Sequence, residues 1–200
     1  MFRSLVSSAL LVVATAVVLA AAVGVLHAET DYDRAVATWT SPEEVNAWIA
    51  ANFSYDAARA IQLSATQRAN NLVPISQPSA FFETGSGVCV DLARFGVETL
   101  RRVAPASHPR YLMLELEPVQ IRGNTLRLHW LVSFQRDGKL FFFADSKRPG
   151  LIAGPYDDVQ AFVADYAADG RRVMAFREAE TYEKPRRARA ATRRPAPAAP

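Results

Sequence analysis

The spacing of hydrophobic residues along the chain changes close to Pro105. Before this point apolar residues recur every three or four positions, which is the spacing of a helix that packs on one face. From Arg110 to about Asp145 they alternate with polar residues, which is the period of a strand with one buried face, before a helical pattern returns over residues 156–168. Helices followed by paired strands predict an α+β fold, with the helices packed on an antiparallel sheet.

Local signals place the individual elements within this order. Ser41, Pro42 and Glu44 form a helix start with a capping box, which predicts a helix over residues 41–53. Residues 70–87 contain two prolines and two glycines and are predicted to be mostly loop. The remaining predictions are helices over 55–69, 89–103 and 156–168, and strands over 110–119, 125–135, 139–145 and 171–182.

The first 28 residues are predicted to lie outside the folded domain. Arg3 precedes an apolar run from Leu5 to about Leu26, and small residues crowd its end around Ala28. This pattern is typical of a cleaved export signal, although the run is also long enough to span a bilayer as a retained anchor. We favour the signal, so the domain over 29–183 is expected to be periplasmic or secreted. A retained anchor would instead tether it to the membrane.

Residues 184–200 are rich in Pro, Ala and Arg, have no apolar periodicity and are predicted to form a disordered tail. The tail holds six basic residues and no acidic ones, whereas residues 31–183 hold 16 basic and 19 acidic residues. The basic character of the chain therefore belongs to the tail, which is expected to be solvated or to make loose contact with an anionic envelope or membrane surface. The chain has no nucleic-acid-binding motif, so no nucleic-acid partner is expected.

Cys89 is the only cysteine of the chain, and it follows a Gly85-Ser-Gly87 turn at the start of a predicted helix. In an exported domain it has no internal disulfide partner, so it is either a buried small residue or a reactive thiol. A helix start stabilises a thiolate because its unpaired N–H groups carry partial positive charge. The glycines are expected to let the chain turn into the helix and to leave room for a substrate.

A thiolate nucleophile is usually paired with an imidazole, and the candidate is His129 in the predicted strand 125–135. His108 lies in a proline-bounded connector and is predicted to be a surface residue. The imidazole needs an acceptor that orients it, and the next hairpin decides which residue lies opposite. A three-residue turn ending at Gly138 would place Asp145 there, whereas a two-residue Asp-Gly turn would place Ser146 there.

The two faces of the predicted strand 125–135 differ in character. One face is uniformly apolar and is predicted to pack on the core, and its residues are Leu126, Leu128, Trp130, Val132 and Phe134. His129 falls on the other face, together with Leu131 and Ser133. The histidine is therefore expected to be held by a rigid element without pointing into the main apolar layer.

These segments resemble the transglutaminase-like branch of the papain-type cysteine enzymes. The matching stretches are WIAANFSYD, GSGVCVDLARFGVETLRR, LHWLVSF and GKLFFFADS, which span roughly Trp48 to Ser146. The order of Cys89, His129 and Asp145 is also the order of that family. The resemblance implies a papain-like α+β core in which the helix that starts at the cysteine packs on an antiparallel sheet carrying the histidine and the aspartate.

The resemblance also implies an activity. The Cys89 thiolate would attack an amide carbonyl of a protein or peptide and form a thioester, with His129 as base and then acid and Asp145 orienting the imidazole. Hydrolysis is favoured over transamidation, because water is always present whereas an amine acceptor needs a second site. The alternative is a catalytically silent module on the same fold that binds protein or peptidoglycan.

The oxyanion of such a reaction needs hydrogen-bond donors. The backbone N–H of Cys89 is one, and Gln77, Tyr55 and Trp130 are candidates for a second donor or for lining the site. No cofactor is expected. A metal site is not expected either, because one cysteine and two histidines in the 29–183 domain fall short of a usual zinc site.

Overall fold

The computed structural model of the protein describes residues 29–69, 73–121, 124–168, 170 and 172–182. Within these residues helices come first and a sheet follows, so the predicted α+β fold is confirmed. The helices are α1 (Asp31–Thr38), α2 (Pro42–Asn52), α3 (Ala57–Ala69), α4 (Pro78–Thr84), α5 (Cys89–Val103) and α6 (Val159–Ala168). The strands are β1 (Ser54–Tyr55), β2 (Ser86–Gly87), β3 (Arg110–Ile121), β4 (Asn124–Arg136), β5 (Lys139–Phe143), β6 (Ala153–Tyr156) and β7 (Val173–Ala179).

Helix α2 begins as its sequence predicts. The Ser41 hydroxyl accepts a hydrogen bond from the Glu44 N–H at 3.4 Å, and the Glu44 carboxylate accepts one from the Ser41 N–H at 3.1 Å. This reciprocal arrangement pairs N–H groups that a helix start would otherwise leave without partners. Thr30 and Asp33 form the same capping box at the start of α1, a helix that was not predicted.

Strands β3 to β7 form one antiparallel sheet in the order β6-β5-β4-β3-β7. Alternate residues of β4 point to opposite faces, and each face has its own hydrophobic core. Trp130 and Val132 pack with α5 on one face. Leu131 packs with Phe162 of α6 on the other face, which is the face that carries His129. The strand that holds the histidine is therefore covered on both sides.

Helix α5 approaches β4 closely because Gly96 presents no side chain at the contact. A methyl group added to Gly96 would lie 2.7 Å from Val132 Cγ2, closer than carbon atoms of neighbouring side chains pack. The glycine therefore sets the depth at which α5 lies on the sheet. Because Cys89 is the first residue of α5, the same contact fixes where the thiol meets β4.

Part of the segment predicted as loop is helical. Within residues 70–87, α4 has Pro78 in its first turn and the fully buried Phe81 facing the core. Gly85 ends this helix in a left-handed conformation with φ 61°, and a side chain there would collide with the Asn52 carbonyl oxygen at 2.3 Å. The proline and the glycine thus start and end a short helix instead of marking a loop.

Two of the predicted segments, 1–28 and 184–200, lie outside the described residues. The domain boundaries at 29 and 183 stay predictions for the same reason. Among the helices that the structure describes, none has both the length and the apolar character needed to cross a bilayer.

Candidate active site

Cys89 lies where the start of α5 meets the sheet, and only 8% of the residue is exposed. Its sulfur accepts hydrogen bonds from the backbone N–H groups of Trp130 and Val90. The Val90 N–H is one of the groups that a helix start leaves unpaired, whereas the Trp130 N–H comes from β4. The thiol is therefore held between the helix and the strand that carries His129.

The surroundings of Cys89 act on its thiol in opposite directions. Burial raises the pKa of the thiol to about 11, while the N–H groups of Trp130 and Val90 and the charge of Lys147 act to lower it. A thiol with this pKa is protonated at neutral pH. A nucleophilic role for Cys89 therefore requires a neighbouring base that takes the proton as the thiolate forms.

The glycines before the cysteine do not leave room for a substrate, so that expectation was wrong. A methyl group added to Gly87 would lie 2.9 Å from the Phe81 ring, so protein atoms already fill this space. The carbonyls of Gly85 and Gly87 accept hydrogen bonds from the N–H groups of Ser54 and Asp56 at 2.8 and 2.9 Å. The turn is thereby fixed against the chain segment that carries Tyr55.

The carboxylate of Asp91 anchors the first turn of α5 and is fully buried. It accepts four hydrogen bonds: Arg59 Nε and Nη2 at 2.7 Å each, the Ser76 N–H at 2.8 Å and the Val88 N–H at 3.1 Å. Burial alone would raise the pKa of Asp91, but the Arg59 guanidinium and the two N–H groups more than offset it, so the pKa lies below its usual value. The carboxylate ties α3 and the Ser76 segment to the residue before Cys89.

We expect Asp91→Asn to lower the free energy of unfolding by about 2–3 kcal/mol, because an amide NH₂ would face donors that the carboxylate now satisfies. Each carboxylate oxygen accepts from one Arg59 nitrogen and one backbone N–H, so either orientation of the amide opposes two donors. Urea unfolding at pH 7 measures the change. The control is Asp157→Asn, an exposed carboxylate paired with Lys139, which should leave the midpoint unchanged. Equal midpoints for the two variants would contradict the anchoring role.

His129 and Asp145 are both buried, and His129 Nε2 lies 2.9 Å from Asp145 Oδ1. The backbone N–H of Lys147 donates to the same carboxylate oxygen at 2.9 Å, and Arg148 Nε donates to the other at 3.3 Å. Burial would raise the pKa of Asp145, but the hydrogen bond and charge of His129, together with the Lys147 N–H, lower it to about 2. The carboxylate is therefore ionised at neutral pH.

The hairpin that leads to this contact has the two-residue turn, so the three-residue alternative is wrong. Arg136 pairs with Lys139, and both Asp137 and Gly138 have positive φ, 52° and 73°. A tight two-residue turn of this type requires positive φ at both positions, because its twist then matches that of the two strands. This register alone would place Ser146 opposite His129.

Asp145 reaches His129 because β5 ends before it. The last pair of the β4–β5 ladder is Val132 with Phe143, and the next residue, the buried Ala144, has a left-handed φ of 59°. A single left-handed residue breaks the alternation of side chains along a strand. The aspartate is thereby turned towards the face that carries His129, and the predicted contact forms by a route that the register did not provide.

Two of the further site candidates lie beside the thiol. Tyr55 pairs with Gly87, and burial followed by the charge of Cys89 raises the pKa of its hydroxyl. Trp130 supplies its backbone N–H to the sulfur, while its indole packs edge-on against Tyr111 in the core. The backbone of Trp130, rather than its side chain, therefore contributes to the site.

Gln77 takes a different position. Its side-chain oxygen accepts a hydrogen bond from Arg94 Nη2 at 2.6 Å, and Arg94 lies more than one helical turn beyond Cys89 on α5. The same glutamine lines a surface groove with Tyr32 and Glu98. The structure therefore does not bring Gln77 to the thiol, because the long segment between them contains α4 and directs the glutamine along the helix.

Three side chains around the His129–Asp145 pair were not predicted. The Tyr166 ring of α6 stacks on the His129 ring with centroids 6.2 Å apart and an interplanar angle of 24°. Lys147 Nζ donates to the Tyr166 hydroxyl at 2.7 Å, and the Arg148 guanidinium lies 5.4 Å from the centre of the same ring. Lys147 and Arg148, which follow Asp145 after one serine, are visible in the sequence as a basic pair, whereas the position of Tyr166 depends on how α6 packs.

The site thus combines a cysteine at a helix start with a strand histidine that is hydrogen-bonded to an aspartate. A family model described as a transglutaminase-like domain matches residues 31–171. The chain belongs to the transglutaminase-like family. The matched transglutaminase-like region runs from the first residue of α1 to beyond α6, and it contains Cys89, His129 and Asp145. No curated protein matches the chain.

Proposed function

We propose that this transglutaminase-like protein is a cysteine acyl-transfer enzyme that forms a thioester at Cys89. One observation carries the proposal: the Cys89 sulfur is hydrogen-bonded to the N–H of Trp130, the residue next to His129. The His129 imidazole is in turn hydrogen-bonded to an ionised Asp145 at 2.9 Å. A nucleophile, a base and a group that orients the base are the parts that acyl transfer by a thiol requires.

The proposed reaction follows from these contacts. Asp145 engages His129 Nε2, so Nδ1 is the nitrogen that takes the thiol proton as the Cys89 sulfur bonds to the substrate carbonyl carbon. The imidazolium then gives that proton to the leaving amine as the C–N bond breaks, which leaves a thioester on Cys89. A water molecule, deprotonated by His129, attacks the thioester, and the acid leaves as the sulfur regains its proton.

The oxyanion formed in each attack needs preorganised donors. We assign one to the backbone N–H of Cys89, which belongs to the unpaired start of α5. The second is the Tyr55 hydroxyl, whose raised pKa keeps its proton in place at neutral pH. Because Tyr55 is 47% exposed, it lies at the solvent side of the buried thiol, where a substrate would enter.

The proposed substrate is an amide or peptide bond of a protein or peptide, and hydrolysis is proposed over transamidation. The alternative function is a catalytically silent binding module. Burial of Cys89 and the pKa of about 11 that results favour this alternative, because they describe an inert thiol unless His129 takes its proton. Reactivity of Cys89 therefore decides between the two functions.

Acylation by a simple activated ester tests the proposal. Incubation with the p-nitrophenyl ester of an N-acylated amino acid should add one acyl group to the intact protein, observed by mass spectrometry. Hydroxylamine, which cleaves thioesters, should remove this acyl group. The Cys89→Ala variant should not be acylated. Because Cys89 is the only cysteine, any thioester is assigned without mapping. Failure of the wild-type protein to gain a hydroxylamine-sensitive acyl group would support the silent module.

A further inference from the structure

The turn after β5 places two cationic side chains around the His129–Asp145 pair. Lys147 is held by its backbone N–H on Asp145 Oδ1 at 2.9 Å, and Arg148 by Nε on Oδ2 at 3.3 Å. Both cations also lie over the Tyr166 ring, at 5.1 and 5.4 Å from its centre. The carboxylate of Asp145 therefore holds the backbone of Lys147 and the guanidinium of Arg148.

The ammonium group of Lys147 is positioned rather than loosely solvated. Its Nζ donates to the Tyr166 hydroxyl at 2.7 Å, and the Tyr166 ring stacks on His129. Tyr166 is 5% exposed, so the hydroxyl that holds the ammonium group is part of a buried ring, while Lys147 itself is exposed to solvent. The charge of Lys147 also lowers the pKa of Cys89, which means that it acts on the reacting atom.

On the side of the thiol where Tyr55 lies, the charged side chains are those of Arg59, Asp91 and Asp56. Arg59 is engaged by the buried Asp91, so that pair is electrically balanced. Asp56 accepts a hydrogen bond from the Arg59 N–H at 2.8 Å, and its charge acts on Tyr55. The two sides of the site therefore carry different charged groups: Asp56 acts on Tyr55, whereas Lys147 and Arg148 lie around the His129–Asp145 pair.

We propose that Lys147, assisted by Arg148, binds a carboxylate of the acyl substrate, so that the preferred substrate is an acidic peptide or amide. The proposal rests on the proposed function and names its substrate class. An anionic group beside the scissile carbonyl would meet the exposed Lys147 ammonium, while the carbonyl carbon lies at the Cys89 sulfur. A neutral substrate would lack this attraction, and a cationic one would be repelled.

Two alkylating reagents that differ only in charge test the proposal directly. Iodoacetate and iodoacetamide both alkylate a thiolate: the sulfur bonds to the methylene carbon and iodide leaves. We expect Lys147→Gln to lower the ratio of the iodoacetate rate to the iodoacetamide rate at Cys89 about threefold to tenfold at low salt. Lys147→Arg should retain the wild-type ratio, because it keeps the charge.

The matched control is Lys139→Gln, which removes an equal charge at the opposite end of β5, where Lys139 pairs with Asp157. It should leave the rate ratio unchanged. An equal ratio in wild type and Lys147→Gln overturns the substrate proposal while leaving the enzyme proposal intact. If neither reagent labels Cys89, the proposed function itself fails and the substrate proposal with it.

Acyl donors that differ only in glutamate or glutamine give a second readout. Wild type should show the larger kcat/KM for the glutamate ester, and Lys147→Gln should lose that preference about threefold to tenfold. The preference is measured as the ratio of the two esters within each variant, so an effect of Lys147→Gln on the chemistry that both esters share cancels. A wild-type preference for the glutamine ester would overturn the proposal.

Discussion

Replacing His129 with glutamine should slow the alkylation of Cys89 by iodoacetamide roughly 10²–10⁴-fold at pH 7, because it removes the base that takes the thiol proton. The glutamine amide can still donate to Asp145, so the buried carboxylate keeps a partner and the fold is preserved. Burial raises the pKa of the thiol to about 11 in the wild-type protein, so without a base the thiol stays protonated at neutral pH. At pH 7 such a thiol is ionised in about one molecule in 10⁴.

The pH dependence separates a catalytic from a structural histidine. In His129→Gln the alkylation rate should rise about tenfold per pH unit towards pH 11, following ionisation of an unassisted thiol. In the wild-type protein the rate should instead level off near neutral pH, because the imidazole and the thiol share one proton. His108→Asn is the matched control, since His108 is exposed in a left-handed conformation that asparagine also adopts.

A wild-type rate that itself rises tenfold per pH unit up to pH 11 would contradict the proposed pairing of Cys89 and His129. The thiol would then be a buried small residue, and the transglutaminase-like domain would be a binding module. The measurement is informative in either case, because the chain has a single cysteine and the label reports on that residue alone.

The helical and strand segments were predictable because their signals are local. The capping box of Ser41 and Glu44, the helix that starts at Cys89 and the alternation in β4 each depend on residues close in sequence. The order of these elements was enough to predict helices packed on an antiparallel sheet. Helix α4 is not predictable from Pro78 and Gly85 alone, because both residue types are also typical of loops; in the structure they bound a helix that buries Phe81.

The contact between His129 and Asp145 was predictable only as one of two alternatives. Its formation depends on the left-handed φ of Ala144, and alanine gives no local signal for that conformation. Ala144 is fully buried in the core that includes α5, so its surroundings come from distant parts of the chain. The ion pair of Arg59 and Asp91 likewise has no local sequence signal, because the two residues are 32 positions apart and meet only in the folded protein.

Asp145→Ala should lower the rate of Cys89 acylation roughly 10²–10⁴-fold, because it removes both the group that orients the imidazole and the charge that stabilises the imidazolium. Asp145→Asn should cost less, about tenfold, since its amide oxygen can still accept from His129 Nε2, although the charge is lost and the amide NH₂ faces Arg148 Nε. Stopped-flow acylation by the p-nitrophenyl ester at pH 7 measures both variants. Equal losses for alanine and asparagine would show that charge, not orientation, is the contribution of Asp145.

Asp145→Asn also tests, through the free energy of unfolding, how far the ionised carboxylate stabilises the fold. Since the pKa of Asp145 is about 2 in the folded protein and 3.8 ordinarily, the ionised carboxylate stabilises the fold above pH 4, and this stability is lost as the pH falls towards 2. Asp145→Asn should therefore be less stable than wild type by about 2 kcal/mol at pH 7, with the difference shrinking below pH 4. A difference that stays constant from pH 7 to pH 2 would mean that the carboxylate is not stabilised by its hydrogen bonds to His129 and Lys147. Asp145 would then not hold the imidazole proton on Nε2, and the assignment of Nδ1 as the nitrogen that takes the thiol proton would fail.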